Sequence, residues 1–196
     1  MPIRSYLFLL IFCVMSANSA QLSGSDIVQS ARKQIGITVL YDPKYTKLNY
    51  PDGDVANDRG VCTDVIIRAL RDARKMDLQR LVYEDMASHF SVYPHQWGLS
   101  KPDKNIDHRR VPNLQTFFKR HAESFNVTKT PGAFKSADIV TSLLPGNLPH
   151  VMIVSDKMSE KGVPYVIHNI GAGTREEDAL FTYPLTGHYR LTATGD

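Results

Sequence analysis

The sequence predicts an α+β fold in which N-terminal helices pack on a C-terminal antiparallel sheet. Three observations carry that expectation. As far as about residue 121, apolar residues recur at the three- and four-residue spacing of a helix face. Beyond Pro131-Gly132 they fall into short β-branched runs separated by Pro, Gly and Asn turns. The chain is 196 residues long, a length that suits one domain. Helices first and strands later indicate an α+β arrangement rather than alternating parallel units.

Ser25 to Ile35 reads as the first helix, with Ile27, Val28, Ala31 and Ile35 as its stripe. Ser23 or Ser25 caps it and Gly36 ends it. Ile37 to Leu40 is a short β-type run. Tyr41 to Gly60 is a long irregular stretch rich in Asp, Pro, Gly and Asn, and such loops are often functional. Val61 to about Arg74 is an amphipathic helix with Cys62, Val65, Ile66, Ala69 and Leu70 on one stripe. Asp77 to Phe90 is a further helix. Tyr93 to Pro112 is again irregular and contains the single tryptophan, Trp97, and the polar run Asp107-His108-Arg109-Arg110. Asn113 to His121 is a short helix with Asn113 as its cap. Strands are expected over Asp138–Thr141, His150–Ser155, Pro164–Asn169 and His188–Thr192.

The first 20 residues have the form of a secretory signal peptide. Arg4 is followed by an apolar run from Tyr6 to Met15 and then by Ser16-Ala17-Asn18-Ser19-Ala20. The run is about ten residues, whereas a membrane span needs roughly 20. The expected mature chain is residues 21–196, one domain, exported to the periplasm or secreted, with no stable membrane span. Composition argues against nucleic acid. The net charge is +3, acids and bases are mixed throughout, and no basic run is interleaved with aromatics. No glycine pattern for a dinucleotide is present, and no cofactor is expected.

Of the two cysteines, Cys13 falls in the leader, so Cys62 stands alone in the mature chain. In an oxidising compartment spare cysteines tend to be paired or lost. A lone thiol there is either inert core, a cross-link to another chain, or a reactive group. Cys62 sits in the first turn of its helix, where free N–H groups and the helix dipole favour a thiolate and can hold an oxyanion. A cysteine nucleophile needs a base and a third group to orient that base. His150 opens one strand and His168 closes another. If the two strands are antiparallel neighbours, both histidines meet at one sheet edge. Asn169 is the alternative third residue, because a one-residue register change swaps the side chain that faces the site. Cys62, His150 and His168 could also ligate zinc, but they lack the close-paired spacing of zinc motifs, and no metal is expected.

Several blocks carry a family resemblance: Tyr41-Asp42-Pro43, Gly60-Val61-Cys62-Thr63-Asp64-Val65, Asn105 to Leu114, Leu148-Pro149-His150-Val151 and His168 to Gly173. On these the chain resembles a family of exported bacterial proteins, domain of unknown function 1287. More distantly it is similar to the NlpC-type cysteine peptidases, papain-like folds that cut peptide bonds in bacterial cell walls. The shared order is a cysteine at a helix start, then Asp138-Ile139-Val140, then His150 opening a strand, then a polar residue on the next strand. Around the nucleophile that pattern usually reads Asp-Cys-Ser-Gly; here it reads Val61-Cys62-Thr63-Asp64.

The resemblance implies a papain-like, NlpC-like fold with Cys62 as nucleophile, His150 as base and His168 as orienting residue. It implies a cysteine hydrolase, a peptidase or amidase, acting on peptidoglycan peptides. From charge alone, Arg109 and Arg110 are candidates for substrate carboxylates, and Asp58 or Asp64 for a free amine. Two other functions fit the same sequence. One is a non-catalytic module that binds wall fragments or a protein. The other is a cysteine-dependent acyltransferase with an amine in place of water.

Overall fold

The computed structural model describes residues 18–192. The expected leader lies outside them apart from its last three residues. Among the described residues there are four α-helices: α1 (Asn18–Arg32), α2 (Cys62–Arg74), α3 (Leu78–His89) and α4 (Val111–His121). Two short strands, β1 (Leu40–Tyr41) and β2 (Arg59–Gly60), form a parallel pair. Six more strands follow: β3 (Glu123–Phe125), β4 (Ile139–Leu144), β5 (Leu148–Met158), β6 (Pro164–His168), β7 (Arg175–Glu177) and β8 (Leu185–Arg190). They build one antiparallel sheet in the order β3-β8-β4-β5-β6-β7. The fold is therefore α+β, with α1 and α2 packed on β5 of the C-terminal sheet. No helix among the described residues is long and apolar enough to cross a membrane.

Strand alternation assigns the two faces of the sheet. Ile139, Val151, Ile153, Ile167 and Tyr189 join Val65, Ile66 and Leu70 of α2 and Leu114 and Phe118 of α4 in one core. Val140, Met152, Val154 and Val166 form a second cluster with Phe134 and Leu180 from flanking loops. Both faces are covered, which explains why β4 to β6 are apolar at successive positions instead of alternating with polar ones.

Several boundaries differ from the sequence expectation. α1 ends at Arg32, three residues before Ile35, which is partly exposed and outside the stripe. α4 begins at Val111 with Pro112 in its first turn. Asn113 is inside that helix rather than at its cap, and its Nδ2 donates to the Asp107 carbonyl at 3.1 Å. β3 (Glu123-Ser124-Phe125) and β7 (Arg175-Glu176-Glu177) are three-residue edge strands, too short and too polar for an apolar alternation to announce them.

Asp138 anchors the sheet. It is fully buried just before β4 and accepts from His188 Nε2 at 2.6 Å, Arg190 Nε at 2.6 Å and Nη2 at 2.7 Å, and the Lys135 N–H at 2.8 Å. His188 also stacks on Phe134 with centroids 4.4 Å apart. Burial alone would raise the Asp138 pKa, but the bonds from His188 and Arg190 hold it below the usual carboxylate range. A depressed folded-state pKa gives stability that is present above the unfolded value, roughly 3.9, and lost as pH falls through the folded one. Asp138→Ala is expected to lower unfolding free energy by about 3–5 kcal/mol in urea titration. It is also expected to flatten the loss of stability that the native protein shows below pH ~4.

Candidate active site

The start of α2 is built by Asp64. Val61, at the N-cap, has no side-chain acceptor. Instead Asp64 folds back so that Oδ2 accepts the Val61 N–H at 2.6 Å, which is half of a capping box. Gly60 makes this possible, since a Cβ there would lie 2.9 Å from Asp64 Oδ2 and 3.0 Å from its Cβ. Arg109 takes the same carboxylate with both tines of its fork, Nε to Oδ1 at 2.9 Å and Nη2 to Oδ2 at 2.9 Å. Each side chain of this pair is only 2% exposed. Arg109 continues to the carbonyls of Asp42 at 3.1 Å and Lys44 at 3.2 Å. Gln79 of α3 clasps the two long loops further along. Its Nε2 donates to the Asn49 and Lys104 carbonyls, and its Oε1 accepts the Gly53 N–H.

These ties shape a cleft of about 280 Å³ over the α2 start. Tyr41 comes from the end of β1 and Pro43 from the loop after it, Trp97, Ile106 and Arg110 from the second loop, Pro149 from β5, and Cys62 from α2.

Outside the residues that line the cleft, side chains of three strands form a relay. His150 Nε2 lies 2.8 Å from His168 Nδ1, and His168 Nε2 lies 2.9 Å from Glu177 Oε1. The two histidines share strand parity with Met152 and Val166 and sit diagonally across β5 and β6. The β5–β6 ladder pairs Val154 with Val166 and Ile153 with Ile167 and then stops. At Val151, one step past the last pair on its face, the backbone N–H acts on the Cys62 sulfur. The helix start thus meets the sheet where β5 and β6 part.

The network fixes the hydrogens of the neutral relay. An ionised Glu177 can only accept, so His168 carries its proton on Nε2 and offers Nδ1 as acceptor. His150 then donates from Nε2, which leaves Nδ1 as its basic nitrogen. No Cys62–His150 hydrogen bond forms among the described residues. Burial pushes the Cys62 thiol up to about 11, although the N–H groups of Val151, Thr63 and Cys62 itself favour the thiolate. Burial, reinforced by the charge of His168, pushes His150 down to about 3. Burial also lowers His168, against the pull of Glu177. The resting site is a neutral thiol and two neutral imidazoles.

The other candidates fall in several places. Asn169 is not a partner of His150. Its Nδ2 donates to the Gly60 carbonyl at 3.2 Å, so it is a strut between the end of β6 and the approach to α2. Asp58 is exposed, bonded to its neighbour Arg59, and outside the cleft lining. Asp64 and Arg109 are committed to each other, which leaves neither carboxylate nor fork free for a ligand. Arg110 remains on the cleft wall. Its Nη1 donates to Asp107 Oδ1 at 2.8 Å, and its guanidinium lies 4.1 Å from the Trp97 ring. Glu177 was outside the sequence expectation, because β7 carries no pattern to place it. Among the described residues, no group of three or more His, Cys, Asp or Glu is arranged to hold a metal ion.

Comparison with known proteins agrees with the resemblance to domain of unknown function 1287. The family model described as "Domain of unknown function (DUF1287)" matches residues 28–191. The chain is 54% identical over 164 residues to "Uncharacterized protein YijF" of Escherichia coli (strain K12), covering 84% of this chain and 80% of that protein. With most of its length matched by the family model and by a relative of this similarity, the chain belongs to the DUF1287 family.

Proposed function

We propose that this chain is an exported cysteine hydrolase of papain-like, NlpC-like architecture that cleaves an amide bond in cell-wall peptides. One observation carries the reading. The His150–His168–Glu177 relay has a single direction, and His150 directly precedes Val151, whose backbone N–H acts on the sulfur of the first residue of α2. The leader-like N-terminus supports export.

In this mechanism a peptide in the cleft presents its carbonyl carbon to the Cys62 sulfur. His150 Nδ1 takes the thiol proton as the S–C bond forms. The positive charge that develops on His150 is stabilised through His168 by the Glu177 carboxylate. Backbone N–H groups at the α2 start hold the oxyanion. Collapse breaks the C–N bond, and His150 returns its proton to the leaving amine. Water, deprotonated by His150, then releases the acyl group and restores the thiol. An amine in place of water would make the same site an acyltransferase, and product masses separate the two.

A second reading has its own support. The thiol pushed up to about 11 and the shielded His150 also fit a non-catalytic module that binds wall peptide in the same cleft. That module predicts binding that survives Cys62→Ala and no cleavage.

Mass spectrometry of purified bacterial cell wall after incubation with the protein is expected to show new fragments. Cys62→Ala and His150→Ala should yield none. Fragments from all three proteins would place the chemistry elsewhere, and fragments from none would favour the binding module. Glu177→Gln removes the charge that directs the relay, and is expected to lower kcat roughly 10- to 100-fold with little change in KM. An unchanged kcat would remove Glu177 from the mechanism. The raised thiol pKa sets a third expectation. Without substrate, alkylation of Cys62 by iodoacetamide should accelerate steadily from neutral pH toward about 11, because the thiolate fraction grows as pH approaches the raised value. A rate plateau in mildly acid solution would instead reveal a resting thiolate–imidazolium pair.

A further inference from the structure

We propose that Arg110 selects the substrate of the cleft by binding a carboxylate on the peptide whose amide lies over Cys62. The inference rests on the cleft being the substrate site. Two arginines line it, and they are in opposite states. Arg109 has its fork filled by Asp64 and its outer nitrogens on the carbonyls of Asp42 and Lys44. Arg110 gives only Nη1 to the protein, at Asp107, which leaves Nε and Nη2 without an acceptor among the described residues.

The free part of that fork is held still. Asp107 is buried, and it is itself fixed by the Asp103 N–H at 2.6 Å and by Asn113 Nδ2. The Trp97 ring lies against the guanidinium at 4.1 Å, so one edge and one face of Arg110 are set before any ligand arrives. A guanidinium fixed in this way loses little rotamer freedom on binding, and its planar donors match the two oxygens of a carboxylate. Among the described residues no Asp or Glu lines the cleft, and the rest of its wall is mainly apolar and aromatic. An amine-bearing ligand finds no anionic partner there. An acidic peptide finds Arg110.

The carboxylate has two sources, a side chain or a free C-terminus. Trp97 is the only tryptophan in the chain, so its emission reports events at this wall without any need for turnover. Protein carrying Cys62→Ala is titrated with four peptides. Two are acidic: acetyl-alanyl-glutamate amide and acetyl-alanyl-alanine with a free C-terminus. Two are their neutral counterparts, acetyl-alanyl-glutamine amide and acetyl-alanyl-alanine amide. At least one acidic peptide is expected to bind roughly tenfold or more tighter than its counterpart, and the one that does names the source. Arg110→Gln, made in the same background, should abolish that preference, and Arg110→Lys should keep part of it.

Equal binding of acidic and neutral peptides overturns the proposal. So does a preference that survives Arg110→Gln, or no emission change with any peptide up to roughly 10 mM. Should Arg110→Gln fail to fold, the four-peptide comparison on protein retaining Arg110 still decides. The wall-fragment assay keeps the two ideas apart. A carboxylate preference without cleavage by the native protein defeats the hydrolase alone, and cleavage without the preference defeats the role of Arg110 alone.

Discussion

The buried Asp64–Arg109 ion pair is the constraint on which the rest of the site depends. One carboxylate caps the helix that begins with Cys62, and one guanidinium gathers the loop carbonyls that bring Tyr41 and Pro43 over it. Taking two charges out of water costs several kcal/mol per ion, and their attraction repays it only when geometry and extra hydrogen bonds are good. Both conditions hold here, with a two-tined contact and two further N–H groups on the carbonyls of Asp42 and Lys44. An apolar replacement could be as stable, but it would no longer fix where the helix starts relative to both loops. The pair is therefore best understood as setting position, and stability is carried by the apolar core beneath it.

Around the sulfur, two opposing forces are laid on one atom. Backbone N–H groups from the helix start and from β5 favour negative charge, and burial opposes it. Burial wins at rest. In the proposed reaction those N–H groups would stand oriented for charge that develops only in the transition state, when no solvent has to reorganise. The relay has the same logic. Glu177 is partly exposed and stays a good acceptor, whereas the histidines it directs are buried. The charge at the wet end of the chain thus sets the proton positions at the dry end.

Much of this was legible in the sequence, for physical reasons. The α2 stripe and the apolar runs of β4, β5 and β6 encode their elements through periodicity, and the helix-first order gives the α+β layout. His150 and His168 could be paired because antiparallel neighbours bring one strand's start beside the next strand's end, although periodicity alone left His168 and Asn169 as equals. Register separates them. His168 shares parity with Val166 and meets His150, while Asn169 turns toward Gly60. Charge without context misled. Asp64, Arg109 and Asp58 looked available for substrate, but two of them neutralise each other out of water and the third lies off the cleft. Glu177 and the Trp97–Arg110 stack were not legible, because each depends on loop or edge-strand geometry that no repeating pattern records.

Cys62 is also sheltered by its own protonation. Peroxides and disulfides are attacked by the thiolate, and a buried neutral thiol presents very little of it. Cys62 has no disulfide partner among the described residues, so a sulfenic acid formed there would find no resolving thiol among them. The burial that keeps the thiol protonated therefore lengthens its chemical lifetime among oxidants. Under the proposed mechanism, reactivity would be withheld until a bound ligand changed the surroundings of the sulfur, and shelf life and latency would be one property of a single buried atom.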